Sequence, residues 1–158
     1  LKHRMFYTSL EIASDINNLD IVEDFIETLM NDFTINDDFR GILTIPLIEA
    51  VSNAIVHGNH SDKHKKVSIN CQLSNKQLTF SVSDEGKGFD YNQVLSEKLE
   101  NRKSSGLTSI ELLCEKIEFM NNGSTIVFSL NIPLHISKER KISVLSENGV
   151  KQNVKTTW

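Results

Sequence analysis

IEAVSNAIVHGNHSDKHKKVSINCQLSNKQLTFSVSDEGKGFD, residues 48–90, changes its apolar period partway along, from steps of three and four residues to strict alternation. Upstream of the change, residues 42–57 placed on a wheel at about 100° per residue put Leu43, Leu47, Ile48, Ala50, Val51, Ala54 and Ile55 on one broad face, suited to lying on a sheet. Downstream, KVSINCQLS (66–74) and QLTFSVSD (77–84) alternate around Asn75-Lys76, the pattern of an antiparallel hairpin buried on one face. A helix feeding a hairpin is not the βαβ repeat of a doubly wound sheet.

Working outward, MFYTSL (5–10) is a β-type run, and Ser14 or Asn17/Asn18 could cap the helix that follows, where Ile21, Val22, Phe25, Leu29 and Phe33 keep helical spacing. Asn36, Asp37 and Asp38 offer cap oxygens to the next helix, which reads as running to a glycine stop at Gly58-Asn59. Pro46 inside it either kinks that helix or marks its first turn. Beyond residue 90, a polar stretch leads to a helix at 106–117 and two strands, 117–122 and 124–134, joined by Asn121-Asn122-Gly123. The expectation is an α+β two-layer sandwich: a mostly antiparallel mixed sheet with helices on one face, occupying residues 1–137. Residues 138–158 form a basic, mixed tail in which ISVLS (142–146) could be an edge strand.

The 158 residues suit one domain, and 39% hydrophobic with 24% charged residues is ordinary globular usage. A net charge of −4 argues against a broad nucleic-acid or anionic-membrane surface, so the partners expected are proteins or small molecules. No run approaches the roughly 20 apolar residues that span a bilayer, and the start lacks a signal-peptide apolar region, which together predict a cytoplasmic protein. Cys71 and Cys114 have no CxxC spacing and read as free thiols.

Three motifs carry chemistry. Glu49, Asn53 and His57 stand at i, i+4 and i+8, opposite the apolar face and flanked by Ile42, Ile45 and Val56; the line is either a solvated stripe or the floor of a partly covered cleft. In DEGKGFD (84–90), Asp84 ends a strand where it can accept a hydrogen bond from an exocyclic amine, and Gly86 and Gly88 let the backbone approach a flat ligand; the alternative is a plain strand-to-loop turn. In RKSSGLTSI (102–110), serines and a glycine open a helix, either as a routine cap or as a phosphate site built from backbone amides.

Taken in order, ExxxN…HGN, then DxGxG after a hairpin, then a glycine opening a helix, the chain resembles the GHKL superfamily of gyrase, heat-shock chaperone, histidine kinase and MutL-type ATPases, over roughly residues 5–135. Within it the chain looks most like the bacterial anti-sigma factor serine/threonine kinases. Glu49 stands where histidine kinases usually carry Asn, which separates it from the ATPase domain of a sensor kinase. The resemblance implies ATP and Mg²⁺ as ligands, with Asn53 on the metal, Glu49 as the base that takes the hydroxyl proton, and Asp84 reading the adenine amino group. It places His57, Gly86, Gly88, Phe89, Ser105, Gly106 and Leu107 around the nucleotide, puts Arg102 on the γ-phosphate, and makes the residues between Gly88 and Gly106 a lid. It further implies a sigma factor and an anti-sigma-factor antagonist as partners, with a possible homodimer. The chain departs from the pattern at Ser104, where the family lid usually has glycine; that bears on lid closure and leaves the Asp84 side of the site intact.

Overall fold

In the computed structural model, which describes residues 5–74, 76–88, 90, 93, 110 and 113–132 and the backbone of 153–157, the alternating runs pair into one sheet. β1 (Met5–Ala13), β2 (Lys66–Leu73), β3 (Gln77–Ser83), β4 (Lys116–Met120), β5 (Thr125–Asn131) and β6 (Asn153–Thr157) stand in the order β4-β5-β3-β2-β1-β6. Every ladder among these described strands is antiparallel. α1 (Leu19–Asp32) and α2 (Arg40–Asn53) follow β1 and cover one face, giving the expected α+β two-layer arrangement.

The pleat sorts the strands as the alternation predicts. Leu10, Ile69, Phe80 and Phe128 point to the helices and are fully buried with Phe25 of α1 and Leu43 and Leu47 of α2. Each side chain so buried contributes about 1.5–3 kcal/mol. Phe80 lies opposite Phe128 in the β3–β5 ladder, with ring centroids 5.6 Å apart. The residues between them, such as Ser9, Asn70, Gln72, Thr79 and Ser81, line the opposite face.

Several local expectations change once the chain is folded. Asp15, not Ser14 or Asn17/Asn18, caps the turn before α1, accepting the Asn17 N–H at 3.0 Å, because Ser14 is drawn inward by the strand end. Asn36 does cap the entry to α2, accepting from Asp38 N–H at 2.9 Å. Pro46 sits inside α2, beyond its first turn, buried among the core side chains. Residues 116 and 117, expected at the end of a helix, open β4 instead; Ile110 and Leu113 are helical, and the rest of that predicted helix lies outside the described residues. An edge strand does form near the C-terminus, at Asn153–Thr157 against β1, while residues 142–146 lie outside the described residues.

The helical path Asp37–Gly58 is, with 22 residues, long and apolar enough to cross a membrane by length and composition, contrary to the expectation that no run approaches that measure. Its apolarity has a nearer cause: Leu43, Leu47, Ala50 and Val51 are sealed against the sheet, so this is the core helix of the sandwich. Both cysteines are free, Cys71 buried on β2 and Cys114 half-buried before β4.

Candidate functional site

The helix carrying Glu49, Asn53 and His57 is not α-helical to its end. α2 stops at Asn53, and Ala54–Gly58 form a π-helical segment, closed by the Asn59 N–H donating to the Ala54 carbonyl at 2.8 Å. Wide turns of this kind concentrate at functional sites because they turn side chains out of the α-helical register. Outward exposure falls on Ile45 (50%) and Val56 (40%), whereas Asn53 is only 2% exposed. Glu49 and His57 are half-buried, so the line is a covered flank and not a solvated stripe.

Gly58 is not the left-handed helix stop expected of it, since the glycines with positive φ among the described residues are Gly88 and Gly123. Gly58 is needed for clearance: a Cβ there would stand 2.2 Å from Asp84 Oδ2. Asp84, just past β3, is held from three sides. Its N–H donates to the Ser124 carbonyl at 2.9 Å, its Oδ1 accepts from the Gly86 N–H at 2.8 Å, and its carboxylate lies over Gly58. Gly86 presses in turn on the Gly58 carbonyl, which a Cβ would approach to 2.2 Å. Gly88, at φ +88°, leaves no room for a Cβ against the Asn122 carbonyl, 2.0 Å away, so the β4–β5 turn backs the loop. Clearance at Gly58 and Gly86 thus seats the Asp84 loop on the end of the helix that carries Asn53.

The Asp84 carboxyl is raised above the ordinary aspartate pKa because burial disfavours its charge, opposed by the Gly86 N–H and by the positive charges of His60 and Lys65. A half-buried carboxylate over a floor without Cβ atoms suits a flat ligand bearing an amino group. The buried carboxamide of Asn53 offers the hard oxygen that Mg²⁺ prefers. Among the described residues no three His, Cys, Asp or Glu side chains cluster as a chelating set, so an ion here fits only if phosphate oxygens and water complete its shell, the usual habit of Mg²⁺ with nucleotides.

Of the predicted site residues, Glu49, Asn53 and His57 lie along α2 and its π extension, and Asp84, Gly86 and Gly88 lie in the adjoining loop. Phe89, Arg102, Ser105, Gly106 and Leu107 lie outside the described residues, as does the predicted lid apart from Asp90 and Gln93. Asn59, in sequence only the neighbour of a glycine stop, is fully buried and tied to the Asp84 loop. A hollow of about 460 Å³ on the opposite sheet face, among Tyr7, Ser9, Asn70, Gln72 and Thr79, contains none of the predicted residues and, among its described lining, no charged group.

The anti-sigma F factor of Oceanobacillus iheyensis is 32% identical over 91 residues, covering 54% of this chain and 62% of that protein. Those of Shouchella clausii (31% over 87 residues; 49% and 60%) and Clostridium perfringens (30% over 88 residues; 50% and 63%) are similar to it to the same degree. The chain therefore spans about three fifths of the length of the curated relatives it matches. The family model for the histidine kinase-like ATPase domain matches residues 12–130, a span that runs from the end of β1 through α2, the π segment and the Asp84 loop to the end of β5, and the chain belongs to that family.

Proposed function

We propose that this domain binds Mg-ATP across the layer between Asn53 and Asp84 and acts as a cytoplasmic anti-sigma regulatory factor with protein serine/threonine kinase activity. The observation that carries the reading is the packing of Asp84 over Gly58, which joins a base-reading carboxylate to the helix bearing Asn53 and Glu49. The similarity to proteins named anti-sigma F factor supports a sigma factor and an antagonist protein as partners; a homodimer belongs to the proposal alone.

In this reading the antagonist's Ser or Thr hydroxyl attacks the γ-phosphorus. A new O–P bond forms, the bond to the β-γ bridging oxygen breaks, and ADP leaves. Glu49 takes the hydroxyl proton, which it can do only from within hydrogen-bond reach of the acceptor side chain. Asn53 holds Mg²⁺, which when bound neutralises charge on the phosphate oxygens. Asp84 orients the base through its amino group, with His57 and Phe89 beside the nucleotide. Arg102 offsets charge on the γ-phosphate, and Ser105, Gly106 and Leu107 present backbone amides to the phosphates.

The test is transfer from γ-labelled ATP to candidate antagonist proteins. Transfer is expected from the wild type and absent from the Glu49→Ala/Asn53→Ala double variant; label passing at the wild-type rate in the double variant would sink the assignment. Ser104, in place of a lid glycine, favours a second reading, a nucleotide-binding partner switch without turnover. Tight Mg-ATP binding in calorimetry with no transfer to any antagonist would select it.

Asp84 supplies a pH prediction. Its ionised form is the stronger acceptor for the base amino group, and burial has raised its pKa, so nucleotide affinity falls on acidification before an ordinary aspartate would begin to protonate. Stability runs the opposite way. The folded state favours the neutral carboxyl, so stability is lost as pH rises from the unfolded-state pKa through the raised folded value. Asp84→Asn is expected to weaken ADP binding about 10- to 100-fold, the worth of a charged hydrogen bond. It should also flatten the dependence of Tm on pH across that window. Wild-type ADP affinity in Asp84→Asn would remove Asp84 from base recognition.

A further inference from the structure

Asn59 is fully buried, and its carboxamide orientation is fixed by its neighbours. The Lys66 carbonyl can only accept and lies 2.9 Å from Nδ2, while the Glu85 N–H can only donate and lies 2.8 Å from Oδ1. The second Nδ2 hydrogen goes to Ser14 Oγ at 2.8 Å, and that hydroxyl donates to the Lys65 carbonyl at 2.9 Å. One side chain thereby joins the end of β1, the start of β2 and the loop after β3. The Glu85 carboxylate reinforces the same junction by accepting the Lys66 N–H.

The consequence falls on Asp84. Gly58 gives its carboxylate room, and the next residue, Asn59, ties down the peptide that follows it. Without the Asn59 bond to Glu85 N–H, and apart from the packing on Gly58, the hydrogen bonds left to the loop among the described residues at this level are the Asp84 N–H on the Ser124 carbonyl and the Lys66 N–H on the Glu85 carboxylate. Neither of those runs back to the helix that carries Asn53. Asn59 does, because it directly follows the π segment.

We infer that Asn59 is a positioning residue for base recognition, setting Asp84 relative to Asn53 so that the site distinguishes a purine with a 6-amino group from one with a 6-oxo group, with Ser14 as its buried brace. The inference rests on the nucleotide-binding reading above and deepens it. A residue that only stabilised the fold would, when lost, weaken every nucleotide alike.

The experiment measures ADP and inosine diphosphate affinities by calorimetry on the full chain, for the wild type, Asn59→Ala, Ser14→Ala, Asp84→Ala and the Asn59→Ala/Asp84→Ala pair. Asn59→Ala is expected to weaken ADP about tenfold, with inosine diphosphate changed much less, so that the preference for ADP collapses towards that of Asp84→Ala. In the Asp84→Ala background the Asn59 change should add little, since the two residues act as a unit. Ser14→Ala, the milder change, should narrow the preference two- to fivefold, roughly the worth of one neutral hydrogen bond, and keeps the test alive if Asn59→Ala does not fold. Equal loss of both nucleotides, or no change in their ratio in either variant, overturns the inference while leaving the nucleotide site standing. A wild type that binds neither nucleotide, or prefers neither, overturns the base-reading role of Asp84 itself and the inference with it.

Discussion

Under the proposed kinase reading, Glu49→Gln is expected to lower the rate of phosphoryl transfer by about 10²–10⁴-fold and to leave Mg-ATP affinity within about threefold, the signature of losing a general base and nothing else. Glutamine keeps the shape of the side chain and cannot take up the proton. The loss corresponds to roughly 3–5 kcal/mol of transition-state stabilisation. Glu49 lies on α2 one turn before Asn53, roughly 6 Å along the axis at the usual helical rise, and is half-buried on the same flank. That places a proton acceptor beside the proposed metal ligand without making it one. Single-turnover transfer from γ-labelled ATP, set against a separate binding titration, reads the two quantities independently. Parallel loss of binding and transfer would make Glu49 a structural or metal-site residue, and unchanged transfer would move the base elsewhere. The three proposed roles then separate by experiment: Asp84 changes base affinity, Asn53 changes the metal-dependent part of binding, and Glu49 changes only the rate.

The apolar face of α2 was legible because Leu43, Leu47, Ala50 and Val51 repeat at helical spacing and burial follows directly from that pattern. The β2–β3 hairpin was legible for the parallel reason, with period two on both sides of a turn and Leu73 opposite Leu78 as the alternation requires. The π segment was not. Its residues continue a good helical pattern, and the wide turn is visible only through long-range partners, Asp84 over Gly58 and Asn59 against Ser14. Local propensity assigned Gly58 to a left-handed stop and Ser14 to a cap, the common local uses of those residues. Tertiary contact claimed both for other work. The reason the Asp84 loop meets the end of the helix that carries Asn53, two glycines in place of side chains, needs the third dimension.

Gly86→Ala is expected to unfold at a temperature lower by roughly 10 °C, about 3 kcal/mol in a chain of this size, and to lose measurable nucleotide binding. The backbone angles are not the cause, since Gly86 does not have positive φ and alanine can adopt its conformation. The cause is space: the new methyl would stand 2.2 Å from the Gly58 carbonyl oxygen and 2.9 Å from Asp84 Oδ1. A side chain could rotate away, but the first of these atoms is backbone, fixed between the π segment and Asn59, whose N–H is bonded to Ala54. Relief must therefore come from separating the Asp84 loop from the helix end, which takes the proposed base-reading carboxylate off its floor. Gly41→Ala is the matched control. Gly41 is an exposed α2 position with nothing within 4 Å of the added Cβ, so the same substitution there should raise stability by about 0.5–1 kcal/mol through helix propensity. Thermal denaturation of both variants with an ADP titration decides the matter, because opposite signs at the two glycines isolate the Gly58–Gly86 contact. If Gly86→Ala melts with the wild type and still binds ADP, that contact is not what holds Asp84 in place.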